Sequence, residues 1–122
     1  MNYNEGSTNS NNTESKAMSF GDLGQADSIS VRTARSNYSF SILDPIHRMG
    51  MLTGGALGDQ AREAILIGAI SAEDASYDTT ELKTGWRAVF FVTTNNNLNH
   101  MITSVVTDIA HVKGSINENR AA

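Results

Sequence analysis

The stretch Leu98-Asn-His-Met-Ile-Thr-Ser-Val-Val-Thr-Asp-Ile-Ala-His-Val112 decides the fold. Its apolar residues Leu98, Met101, Ile102, Val105, Val106, Ile109 and Val112 recur at i, i+3, i+4, i+7, i+8, i+11 and i+14. That spacing lays one apolar stripe along a helix of 3.6-residue period. The reading is a helix from Leu98 to about Val112, capped by one Asn of Asn95-Asn-Asn97 and ended by Gly114.

Upstream lies Gly85-Trp-Arg-Ala-Val-Phe-Phe-Val-Thr-Thr94, aromatic and β-branched, the strongest strand signal in the chain. Its run Ala88–Val92 reads as buried on both faces, hence central in a covered sheet. Ile29–Thr33 and Tyr38–Leu43 alternate apolar and polar with a period of two. They form an antiparallel hairpin across the turn Ala34–Asn37. Ile29, Val31, Tyr38, Phe40 and Ile42 make its inner face. Asp44-Pro45 stops the second strand, because proline lacks the amide a sheet interior needs. Residues 46–52 read as a short helix or irregular loop, and Thr53-Gly-Gly55 as a flexible break.

Residues 57–70 (LGDQAREAILIGAI) are ambiguous. As a helix, Asp59 caps the start, and Ala61, Ala64, Ile65 and Gly68 share a face. As a strand, Ala64–Ile70 is a short buried run. Length favours helix, whereas Gly68 and the isoleucines favour strand; helix is the reading adopted. Residues 71–84 are a polar, acidic loop. The expected class is therefore α+β. A small sheet of about three or more strands is covered by two helices, in the order β-β-α-β-α. Residues 1–24 are a disordered polar arm, 25–114 a single compact domain and 115–122 a polar tail. Met18 and Phe20 are the first anchors in the arm. The first 17 residues have almost nothing apolar to bury against the entropy of ordering them.

Composition excludes several chemistries. The chain has 122 residues and no cysteine, so disulfides, thiolate nucleophiles and Cys-based zinc sites are absent. This fits a reducing, cytoplasmic setting. The N-terminus shows neither the basic region nor the apolar core of a signal peptide. The longest apolar run, residues 64–70, is far shorter than the ~20 residues that span a bilayer. Nine basic residues against thirteen acidic ones leave a net charge of −4. No Lys/Arg cluster accompanies the aromatics Tyr38, Phe40, Phe90 and Phe91, so nucleic acid is an unlikely partner.

Candidate sites are few. Asp44-Pro-Ile-His-Arg48 gathers an acid, an imidazole and a guanidinium. Thr53–Asp59 is glycine-rich before the expected helix, a place where backbone amides bind anions. Its Gly54 and Gly55 lack the phosphate-loop lysine and the dinucleotide spacing. Trp86 and Arg87 open the central strand as a stacking corner. Together His47, Arg48, Gly54, Gly55, Trp86 and Arg87 form the candidate ligand set, around the 44–59 loops. The acidic residues Glu73, Asp74, Asp78 and Glu81 lack the spacing of a calcium loop. His47, His100 and His111 match no zinc motif. No cofactor, metal or catalytic set is expected.

Two principal functions follow. The first is a non-enzymatic interaction or regulatory domain that self-associates or binds another protein. Met101, Val105 and Ile109 of the 98–112 stripe would supply the interface, since a two-helix domain leaves that stripe incompletely covered. The second is a small-molecule or anion-binding, even enzymatic, module. A structural subunit of a larger assembly is a third reading.

Overall fold

The computed structural model describes residues 16–114, and the expected arm at 1–15 and tail at 115–122 lie outside them. Among these described residues nine strands follow in chain order: β1 Ala17–Ser19, β2 Ser28–Thr33, β3 Asn37–Asp44, β4 Met49–Gly54, β5 Arg62–Ser71, β6 Tyr77–Asp78, β7 Glu81–Lys83, β8 Trp86–Thr94 and β9 Asn97–Val112. Six of them, β2, β3, β4, β5, β8 and β9, close into an antiparallel barrel in which chain order is also spatial order. β9 pairs back onto β2, and β4 onto β5. β6 adds to β5, and β1 and β7 pair separately.

The two-helix α+β architecture is thus overturned: the fold is nearly all β, and among the described residues the only helical pieces are single 3-10 turns at Phe20–Asp22 and Gly55–Leu57. The stretch read as the last helix is the 16-residue strand β9. The reason lies in two register breaks, between Ile102 and Val105 against β8 and between Val106 and Asp108 against β2. A bulge inserts one residue and turns inward spacing of two into three. The buried positions of β9 are accordingly Thr103, Val106 and Ile109, which mimic a helical i, i+3 pattern. Residues 57–70 likewise hold β5, with a break between Leu66 and Gly68. Ala64 and Leu66 point into the barrel, and Gly68 lies so close to Asp78 that a Cβ would stand 2.4 Å from its carbonyl oxygen. Residues 46–52, read as helix or loop, include most of β4.

The β2–β3 hairpin forms in the expected pairing, and β8 is a barrel strand. Ile29, Val31, Phe40 and Ile42 are buried, while Tyr38 packs on the core's rim. Phe40 and Phe90 meet edge to face across the interior at 5.4 Å, worth about 1 kcal/mol beyond their burial. Residues 17–23, assigned from sequence to the arm, close one end of the barrel. Met18, Phe20 and Leu23 are buried with Leu82 of β7. The Phe20 amide donates to the Thr80 carbonyl.

Candidate interaction surface

The ligand set expected from sequence does not converge. His47 and Arg48 precede β4, whereas Gly54 is its last residue and Gly55 follows it. The six residues of β4 hold the two loops about 20 Å apart at ~3.3 Å per residue. Each residue also has a local structural task. Asp44 accepts from the Ile46 and His47 amides and from the His47 ring, 2.8 Å away. The His47 ring bond chiefly holds that carboxyl below its usual range. Arg48 turns its Nε to the Leu66 carbonyl at 2.9 Å, and its guanidinium lies over the Phe20 ring. Gly54 and Gly55 adopt φ of 112° and 53°. A Cβ on Gly54 would meet the Asn37 carbonyl oxygen at 2.1 Å, so the glycines serve a tight turn against β3.

Trp86 and Arg87 stand at the barrel's other end from Gly54. Lys83 lies 4.3 Å over the Trp86 ring and 2.8 Å from Asp78. That bond to Lys83 leads the causes that depress the Asp78 carboxyl. Arg87 reaches the Thr103 carbonyl. Of the expected interface residues, Ile109 is in the core and Met101 packs against it. Val105 is half-buried opposite Arg87.

Sequence reasoning missed a polar cluster where β9 ends. Asp27, 3% exposed, accepts from the Gly24 amide at 2.8 Å and the Gly114 amide at 2.7 Å. His111 Nε2 lies 2.7 Å from it, and Lys113 Nζ 3.7 Å. Burial raises the Asp27 pKa, but these partners together outweigh it and bring it to about 2. His111 also borders an open depression of about 410 Å³ with Lys16, Met18, Asp22 and Ile109. The cluster clamps the β9 terminus onto the segment before β2. Gly114, a glycine just past the strand, was its one signal in the sequence. Among the described residues no group of three or more His, Asp or Glu side chains is placed to hold a metal.

The outer wall of β5, β8 and β9 was also missed. Because Ala64, Leu66, Phe90 and Val92 point inward, their alternates Ile65 and Phe91 point outward. Along β9, Leu98 pairs with Thr93, His100 with Phe91 and Ile102 with Val89, and the three share that outer face. Leu98 is 57% exposed and Ile102 50%. His100 stacks on Phe91 at 4.5 Å. Met49, Ala64, Ile65, Thr93 and Leu98, with Glu63, line an apolar depression of about 280 Å³.

Among the described residues the upper part of β9 has one open edge. β9 pairs with β2 only from Val106 onward, and the last contacts toward β2 are Val105 O with the Ala34 amide and Ser104 Oγ with the Arg35 amide. From Asn97 to Thr103 the side of β9 away from β8 meets no backbone partner among the described residues. Asn97, Leu98, Asn99 and His100 are all exposed.

No protein-family model, no curated protein and no solved structure matches this chain. Among the described residues no helix is long and apolar enough to cross a membrane.

Proposed function

We propose that this chain is a non-enzymatic protein–protein interaction domain that self-associates through the outer wall of β5, β8 and β9. The observation that carries the reading is the pair of half-exposed aliphatic residues Leu98 and Ile102, set beside Ile65, Phe91 and an apolar depression. The barrel interior is filled by side chains, so a ligand has no room inside it, and the Asp27, Asp44 and Asp78 carboxylates are already partnered. An apolar wall left in water is destabilised unless a partner covers it. The net charge of −4 disfavours a nucleic-acid partner, and the lack of cysteine suits a cytoplasmic setting.

The test is light scattering on the eluting protein, compared with Leu98→Asp and Ile102→Asp. Both side chains project outward, so the variants keep the far-ultraviolet spectrum of the parent. The parent is expected to elute above monomer mass and the variants as monomers. A parent that stays monomeric at every concentration overturns the proposal.

A further inference from the structure

We propose that two copies of this chain join edge to edge, β9 against β9 in antiparallel register centred on His100. The inference rests on the self-association reading above and places the contact at the β9 margin of that wall, where Leu98 and Ile102 lie.

The β8–β9 hairpin fixes which backbone groups of β9 face away from β8. Thr94 pairs with Asn97 across Asn95 and Asn96, whose φ values are 52° and 68°. Two consecutive positive φ values define the type I′ two-residue turn. The residues flanking such a turn exchange both their backbone bonds, so the Asn97 amide and carbonyl face β8. Bonded and non-bonded positions alternate along an antiparallel strand. Asn99 and Met101 therefore also face β8. Leu98, His100 and Ile102 direct their amides and carbonyls to the open edge.

Those three residues are self-complementary. With a two-fold axis at His100, Leu98 of one copy faces Ile102 of the other, and His100 faces His100. Each such pair exchanges two backbone bonds. The two most exposed aliphatic side chains of the wall become cross-strand neighbours on its outer surface. Leu98 of each copy then packs against Ile102 of the other, so the two aliphatic side chains that are most exposed on the wall partly cover one another across the seam.

Asn97-Leu-Asn-His-Met-Ile-Thr103 contains no Asp, Glu, Lys, Arg or Pro. Open edges are ordinarily blunted by lysine, proline or shortness. This one carries none of these devices over seven residues, and it is the part of β9 that projects past its pairing with β2. A second copy supplies the required complement without any further component, through an isologous contact.

Backbone amide exchange by NMR, on full-length protein from about 1 µM to about 1 mM, tests the proposal. The amides of Leu98, His100 and Ile102 are expected to gain protection as mass rises from monomer to dimer. Those of Asn99 and Met101, already bonded to β8, are protected throughout. His100→Pro removes an amide that faces the open edge and leaves the β8 ladder whole, so it is expected to weaken dimerisation by about tenfold or more. A dimer in which these three amides exchange freely, or which His100→Pro leaves intact, overturns edge pairing but leaves self-association standing. Protection in the monomer assigns the edge to another segment of the same chain, residues 1–15, and overturns the proposal. A monomer with exposed amides at every concentration overturns both.

Discussion

Replacing Asp27 with Asn isolates what the buried carboxylate contributes to the barrel. The charged form is held by two backbone amides, His111 and Lys113, against the cost of burial. Its pKa falls from 3.8 in the free group to about 2 in the fold. At ~1.4 kcal/mol per pH unit, that gap corresponds to about 2 kcal/mol of stability. The sign follows from the direction. A depressed carboxyl pKa means the unfolded chain binds more protons in acid. The contribution is therefore complete above about pH 4–5 and is lost as pH falls through the folded value near 2. Asn keeps the shape, but it has no charge and turns an NH₂ toward a donor. Urea titrations of parent and variant from pH 7 to pH 2 measure the difference. The variant is expected to be about 2 kcal/mol less stable at pH 7, equivalent to about 10 °C in melting temperature for a domain of this size. The gap closes toward pH 2. An equal gap at both ends of the range, or none at pH 7, refutes the reasoning.

Other substitutions probe the devices that shape the barrel. Thr103→Val is expected to cost about 1–3 kcal/mol in urea denaturation, because the Ala88 amide loses its acceptor, the Thr103 hydroxyl 3.0 Å away, in a buried site; Thr103→Ser restores most of it. Gly50→Ala places a Cβ 1.9 Å from the Ser41 carbonyl oxygen and is expected to lower the urea midpoint by the upper end of the ~1–3 kcal/mol cost of overpacking, since the obstacle is backbone. Phe90→Ala, which empties the centre of the barrel opposite Phe40, is expected to cost ~3–5 kcal/mol by the same assay.

The legible parts of the fold were those whose periodicity is undisturbed. β2 and β3 keep a strict alternation over their buried positions, with Ile29 facing Phe40 and Val31 facing Tyr38, and their hairpin could be read directly. β8 declared itself by aromatic and β-branched content. β9 and β5 were read as helices because their bulges shift the inward residues out of a period of two. A contrary signal was present in composition. Ile102, Thr103, Val105, Val106, Thr107, Ile109 and Val112 are all β-branched, which suits a strand better than a helix. The candidate site fared similarly. Leu98 and Ile102 stood out as apolar, but read as parts of a helical stripe they shared a face with Met101 and Ile109, which the barrel turns inward. The Asp27–His111 contact joins residues 84 positions apart, and no local pattern announces it.

By itself the sequence determined that the chain builds no disulfide or thiolate chemistry, that strands form where apolar and polar residues alternate, and that glycines mark the turn after residue 53. These follow from side-chain chemistry and from dihedral preferences, which act within a few residues. Tertiary structure alone decided that β9 returns to β2 and closes the ring, that bulges fall at Ile102–Val105 and Val106–Asp108, and that seven residues of β9 have no strand partner on one edge among the described residues. Those outcomes depend on pairing between segments far apart in the chain. A bulge forms where two registers must be reconciled, and only the partner strands set those registers.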